Sequence, residues 1–172
     1  TFSVSALARY RFTRVQAGDN PLLIDLEDRD QTLDGGLTAQ VRGGWGQLQA
    51  DWLTDMLGRH EGQEFSLTYR YRWDLGDLML SPFITSTWQD SNLTGYYYGV
   101  SPGESGPGLP AYQPGSANNF TYGINAWYRL TDHVFLFANA GFTGFDSEIR
   151  DSPLMQDSGQ TEVFIGAGYL FG

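Results

Sequence analysis

The chain of 172 residues has no cysteine and no lysine. The first absence excludes disulfides, thiolate metal sites and cysteine nucleophiles. The second leaves ten arginines as the only fixed cations, against twenty Asp and Glu, a formal net charge of −10. Clustered cations are what phosphate neutralisation needs, so a net-acidic chain is a poor candidate for nucleic acid, and no nucleic-acid partner is expected. Charged residues make up only 17%, against about 25% in ordinary soluble domains. No run approaches 18 apolar residues, so a membrane-spanning helix is excluded as well. Thr1 opens directly into a patterned segment with no secretory signal before it, which reads as a mature or truncated chain. The length suits one domain. What is abundant is aromatic side chains, 15%, and 22 glycines. These limits leave soluble β-proteins and β-barrels.

The dominant hydrophobic period is two, and it recurs along the whole chain. Eight runs show it: 2–13, 33–43, 46–57, 65–73, 78–89, 119–130, 133–145 and 161–171. The first sets Phe2, Val4, Ala6, Ala8, Tyr10 and Phe12 against Ser3, Ser5, Arg9, Arg11 and Thr13. The fourth sets Phe65, Leu67, Tyr69, Tyr71 and Trp73 against Ser66, Thr68, Arg70 and Arg72. The seventh is ambiguous, with Phe135 and Phe137 opposing Val134, Leu136 and Ala138, and in the sixth Trp127 breaks the alternation. No helical pattern is present. Runs of this length exceed the soluble mode of about 5–6 residues. They match the roughly 9–11 tilted residues that cross a hydrocarbon layer.

The connections alternate. Those at 43–46, 74–77 and 130–133 are tight; those at 14–32, 58–63, 90–118 and 146–160 are long. Short turns on one rim and long loops on the other is the arrangement of outer-membrane barrels, with both termini on the periplasmic, short-turn side. The expected fold is therefore an all-β, antiparallel, up-and-down transmembrane barrel of about eight strands.

In a soluble sandwich the apolar face is the core; in a membrane barrel it meets lipid and the polar face lines the lumen. The polar faces carry Arg9, Arg11, Arg42, Arg70, Arg72 and Arg129, with Asp51, Asp55 and Glu162 on the same side. A small lumen filled by Arg–carboxylate pairs is the barrel reading. A solvated sandwich face is the alternative. Aromatics concentrate near both ends of the runs, as interfacial girdles do.

More specific text lies in the loops. In order come Asp55, Gly58-Arg59-His60-Glu61-Gly62, Tyr96-Tyr97-Tyr98-Gly99-Val100, Leu109-Pro110-Ala111-Tyr112-Gln113-Pro114-Gly115 and Asp151-Ser152-Pro153-Leu154. From about residue 20 to the C-terminus this set resembles the MipA/OmpV family of outer-membrane proteins, named for a protein that interacts with the lytic transglycosylase MltA. The alternation from Val163 to Phe171 also resembles the C-terminal strand signature of outer-membrane clients. The resemblance implies a Gram-negative outer-membrane barrel without catalysis and without a cofactor, in contact with lipid and lipopolysaccharide. Its name-giving member implies a scaffold joining a murein hydrolase to a penicillin-binding synthase; other members imply permeation, adhesion or handling of cationic antimicrobials. Family members generally carry further strand-forming sequence before the matched region, which implies that N-terminal strands are missing here.

Candidate recognition residues lie in the loops. The 90–118 connection, with Tyr96, Tyr97, Tyr98 and Tyr112, reads either as a recognition loop or as a Pro-stiffened lid over the mouth. The 14–32 connection carries Asp25, Glu27, Asp28 and Asp30. These would bind divalent or amphiphilic cations, or form a merely solvated acidic loop. His60 and His133 fall on opposite rims, which disfavours a shared metal site. Of catalytic constellations, only Ser66 with His60 and Glu61 or Glu64 are near one another, and nothing in the sequence marks them as activated.

Overall fold

The computed structural model describes residues 1–11 and 29–171. Its strands are β1 (Phe2–Arg11), β2 (Thr32–Gly43), β3 (Gly46–Asp55), β4 (Gln63–Arg70), β5 (Trp73–Leu75), β6 (Leu78–Gln89), β7 (Ala117–Arg129), β8 (Val134–Gly144) and β9 (Gly159–Tyr169). Two helices, α1 (Ser91–Tyr98) and α2 (Ser147–Arg150), lie in the long connections. All pairings are antiparallel, in the order β1-β2-β3-β4-β6-β7-β8-β9, with β5 beside the start of β6. This is the all-β, up-and-down, barrel-like arrangement expected. No ladder joins β1 to β9 among the described residues, so the sheet curls without closing.

The eight expected runs become nine strands because the fourth is interrupted. Tyr71 N–H donates to the Pro82 carbonyl at 3.1 Å, but Pro82 on β6 has no N–H to return. The ladder lapses there and resumes as β5. The tight β2–β3 turn depends on Gly46, whose φ of +116° few side chains tolerate. There a Cβ would also lie 2.7 Å from the Arg70 carbonyl oxygen.

Register sorts the faces. Trp52, Phe65 and Trp88 sit abreast on β3, β4 and β6 and all point outward, exposed, as do Leu37, Tyr69, Ile84, Phe120 and Tyr122. So large an exposed apolar surface is what acyl chains cover in a barrel. The buried apolar side chains lie elsewhere. Leu93, Tyr97, Val100, Leu109 and Ile149 belong to the long connections, Ala117 opens β7, and among the described residues only Leu53 lies well inside a strand. A soluble sandwich would have buried the strand faces instead.

The helices are a departure from the expected pattern. Asp90 caps α1 by accepting the Leu93 N–H at 2.9 Å, and it also accepts the Gln63 N–H of β4. Leu93, Thr94 and Tyr97, one turn apart, are the buried face. Eight residues are too few for a helical period to stand out in a loop. The ambiguous seventh run is resolved by contact. Phe135 stacks on Trp127 at 4.5 Å between centroids, and Phe137 meets Phe164 at 5.5 Å. Opposite Phe137 and Phe135 in register are Gly166 and Gly168. These aromatics lie on the inner face because glycine leaves room for them.

Candidate functional site

The inner face has two unlike halves. Near the long loops, Arg9 and Arg11 of β1 reach across to Glu64 of β4, whose side chain is only 3% exposed. Glu64 also accepts from the Gln89 amide at 3.0 Å. Arg11 Nε donates to Asp34 of β2 at 2.5 Å, and Asp34 is joined to His60 Nε2 at 2.9 Å. Gly62 N–H donates to His60 Nδ1 at 3.0 Å. An N–H facing Nδ1 fixes the other nitrogen as the protonated one, so a neutral His60 donates to Asp34. Every member of this buried network is hydrogen-bonded, the condition under which buried charge is tolerable.

Asp34, Asp55 and His60 bring one ligand atom each within 4.8 Å of one another. Their lone pairs are already engaged. Asp55 accepts the N–H groups of Leu57, His60 and Glu61 at 2.7–3.0 Å. His60 Nδ1 is taken by Gly62. The donor set fits an anchor for the 55–62 turn better than a metal ion.

A cap covers this half. Tyr97 Oη and Thr32 Oγ1 are 2.8 Å apart, and both residues are buried. Thr94 Oγ1 donates to the Gly115 carbonyl, and Ser152 Oγ to that of Tyr98, each at 2.7 Å. Arg29 Nη2 donates to Glu104 at 2.8 Å, and Glu148 accepts the Gly115 N–H at 2.6 Å. Burial pushes the Tyr97 and Tyr98 phenols above their ordinary pKa, so both stay neutral. Asp146 caps α2 and accepts N–H groups from Glu148 and Asn118. Those bonds hold its carboxyl below the ordinary range.

The candidate lumen residues divide between the two halves. Arg9, Arg11, Asp51 and Glu162 line a central cavity of about 420 Å³ with Glu64 and Tyr98. Arg42, Arg70 and Arg72 line a second cavity at the short-turn end. Arg129 lies on the exposed rim, bound to Asp77 at 2.6 Å. The expected partners need correction. Asp51 accepts from Gln49, Asp55 caps a turn, and Glu162 accepts from Gln160. The carboxylates that pair with the arginines are Glu64, Asp34, Asp74 and Asp77. Curling of the sheet brings β1 within reach of β4, which alternation along one strand cannot reveal. Glu64 shares parity with Ser66 and Thr68, the one signal that would have marked it.

Among the loop candidates, Tyr96, Tyr97, Tyr98 and Tyr112 all belong to the cap. Tyr96 Oη accepts the Asp30 N–H at 3.0 Å, and Tyr112 Oη donates to the Glu148 carbonyl at 3.0 Å. The Asp30 carboxylate pairs with Arg59. Asp25, Glu27 and Asp28 lie outside the described residues. Ser66 Oγ bonds Thr87 Oγ1 at 3.2 Å while His60 bonds Asp34, so these two do not form a nucleophile–base pair.

The family described as MltA-interacting protein MipA matches residues 1–171. The chain belongs to the MipA family. It is 29% identical over 154 residues to YiaT of Escherichia coli (strain K12), covering 89% of this chain and 63% of YiaT. It is 29% identical over 161 residues to the MltA-interacting protein of the same strain, covering 93% of this chain and 64% of that protein. It is 27% identical over 146 residues to outer membrane protein OmpV of Vibrio cholerae, covering 85% of this chain and 57% of OmpV. The chain thus spans less than two thirds of the length of these relatives. No solved structure matches it.

Proposed function

We propose that this MipA-family chain forms the wall of an outer-membrane barrel that acts as a non-enzymatic scaffold, with both termini in the periplasm. Its apolar outer face meets lipid, and its long loops meet lipopolysaccharide. Its short-turn rim, Gly43–Gly46, Asp74–Asp77 and Thr131–His133, meets a murein hydrolase of the lytic transglycosylase class and, through it, a penicillin-binding protein. The observation that carries this reading is the cap. Tyr97 on Thr32, Ser152 on Tyr98 and the buried Leu93, Val100 and Ile149 occupy the long-loop end, which favours a plugged body over a solute conduit. The name of the MltA-interacting protein supplies the partner class.

The test is capture of a purified lytic transglycosylase by the detergent-solubilised protein. Wild type retains it, and replacing the three short turns with Gly-Ser sequences releases it. Undiminished capture would remove the proposed surface. Planar-bilayer recording separates the rival pore, for which the lumen arginines would select anions. The scaffold shows no conductance; reproducible anion-selective steps would replace it with the pore.

A further inference from the structure

At the short-turn end, residues of β2, β3, β4, β6 and β7, with the turns between them, enclose a cavity of about 570 Å³. Three guanidiniums, of Arg42, Arg70 and Arg72, face one carboxylate, Asp74. The central cavity has the opposite balance, Arg9 and Arg11 against Asp51, Glu64 and Glu162. A locally positive pocket in a chain of net charge −10 is a specific placement.

The three arginines are not equally engaged. Arg72 holds Asp74 through Nε at 2.8 Å and Nη2 at 2.7 Å. Arg42 gives Nε and Nη2 to one neutral acceptor, Gln47 Oε1, at 3.1 and 2.7 Å. Among the described residues, Arg70, opposite Gln47 in register, has no carboxylate partner, and its Nε is buried with no acceptor. Its guanidinium stands 5.9 Å from the centroid of Phe83. Phe83 is itself seated against Gly123, where a Cβ would come within 2.8 Å of its ring tip. Packing therefore positions Arg70, and no counter-ion does. A buried charged donor without an acceptor is costly unless something supplies one. Gln47, Ser81 and Asn125 add neutral polar groups to the same wall, and Trp127 adds a flat apolar one.

We propose that this cavity binds a small oxyanion, a phosphate or a carboxylate, with Arg70 as the principal ligand and Arg42 as the second. The guanidinium fork suits both groups, since each offers paired oxygens to two parallel N–H donors. The walls come from strands in the interior of the sheet, so the site does not depend on the unpaired edges of β1 and β9. The proposal is independent of the scaffold reading.

Calorimetric titration of the detergent-solubilised chain tests it, with inorganic phosphate in one arm and N-acetyl-alanyl-alanine in the other. Saturable binding in either arm, weakening as salt rises, is expected. The arm that saturates at lower concentration tells a phosphate source from a peptide carboxylate. Arg70→Gln weakens binding by about tenfold or more, the loss of a charge-assisted bond. Arg129→Gln, on the rim outside the cavity, leaves it unchanged. Should Arg70→Gln fail to fold, Asn125→Asp places a carboxylate in the cavity at nearly constant size and abolishes binding. Failure of both ligands to saturate, or equal effects of Arg70→Gln and Arg129→Gln, overturns the proposal.

Discussion

The two halves of the inner face start from the same alternation and end differently. Toward the long loops, charge is buried, paired across non-adjacent strands and sealed by the cap. Toward the short turns, Phe135 and Phe137 lie against Gly168 and Gly166, beside Trp127 and Phe164, and a positive cavity stays open. The reason is the length of the connections. Long loops carry Leu93, Val100, Leu109 and Ile149, enough apolar surface to exclude water from Glu64 and Asp34. Four-residue turns carry nothing that can fold back, so side chains of the strands themselves fill that end. A barrel interior is thus specified less by its strands than by what the rims can fold over it.

Breaking the sealed half should have the largest effect. Glu64→Ala leaves Arg9, Arg11 and Gln89 without their shared acceptor. It should cost about 3–5 kcal/mol, the usual consequence of removing one partner from a buried ion pair. Urea unfolding in detergent micelles, followed by tryptophan emission, measures it; a cost near zero would mean that the network is hydrated and the contrast between halves is false. The open half should respond to volume rather than to charge. At Gly168 a Cβ would lie 2.1 Å from the tip of the Phe135 ring, so Gly168→Ala should cost about 1–3 kcal/mol by overpacking. Adding Phe135→Leu should recover part of that loss. Strict additivity in the double mutant would show that the two sites are uncoupled.

The smallest effect belongs to the cap. Asp146→Ala removes the N-cap of α2 and should cost about 1 kcal/mol, read as faster hydrogen exchange over 90–116 and 145–158. The same carboxylate gives a pH dependence whose sign is fixed. Backbone N–H donors hold its folded pKa below the unfolded value. Its contribution is therefore fully present above the ordinary carboxylate pKa of about 4 and is lost as pH falls through the depressed folded value. Exchange in the cap should be flat from neutral pH down to about 5 once the intrinsic rate is divided out, and should rise in more acid solution. Asp146→Asn should abolish that rise.

Much of this was legible along the chain. Alternation placed the eight long strands to within about three residues at each end, since a period of two is a local property of the backbone. It also told the outward, exposed side of Phe65, Leu67 and Tyr69 from the arginine side. It missed α1, whose eight residues are set by the Asp90 cap and by packing. It left Phe135 and Phe137 undecided, because their inward placement depends on Gly166 and Gly168 about thirty residues on.

What the sequence by itself determined is the strand set, its up-and-down order and the sign of each face, all consequences of side-chain direction in a pleated chain. What only the tertiary structure decided is which charges meet. Glu64 answers Arg9 and Arg11 from three strands away, and the buried Nε of Arg70 is left without an acceptor. Such pairing depends on how tightly the sheet curls and what closes its ends, and neither is encoded in any single strand.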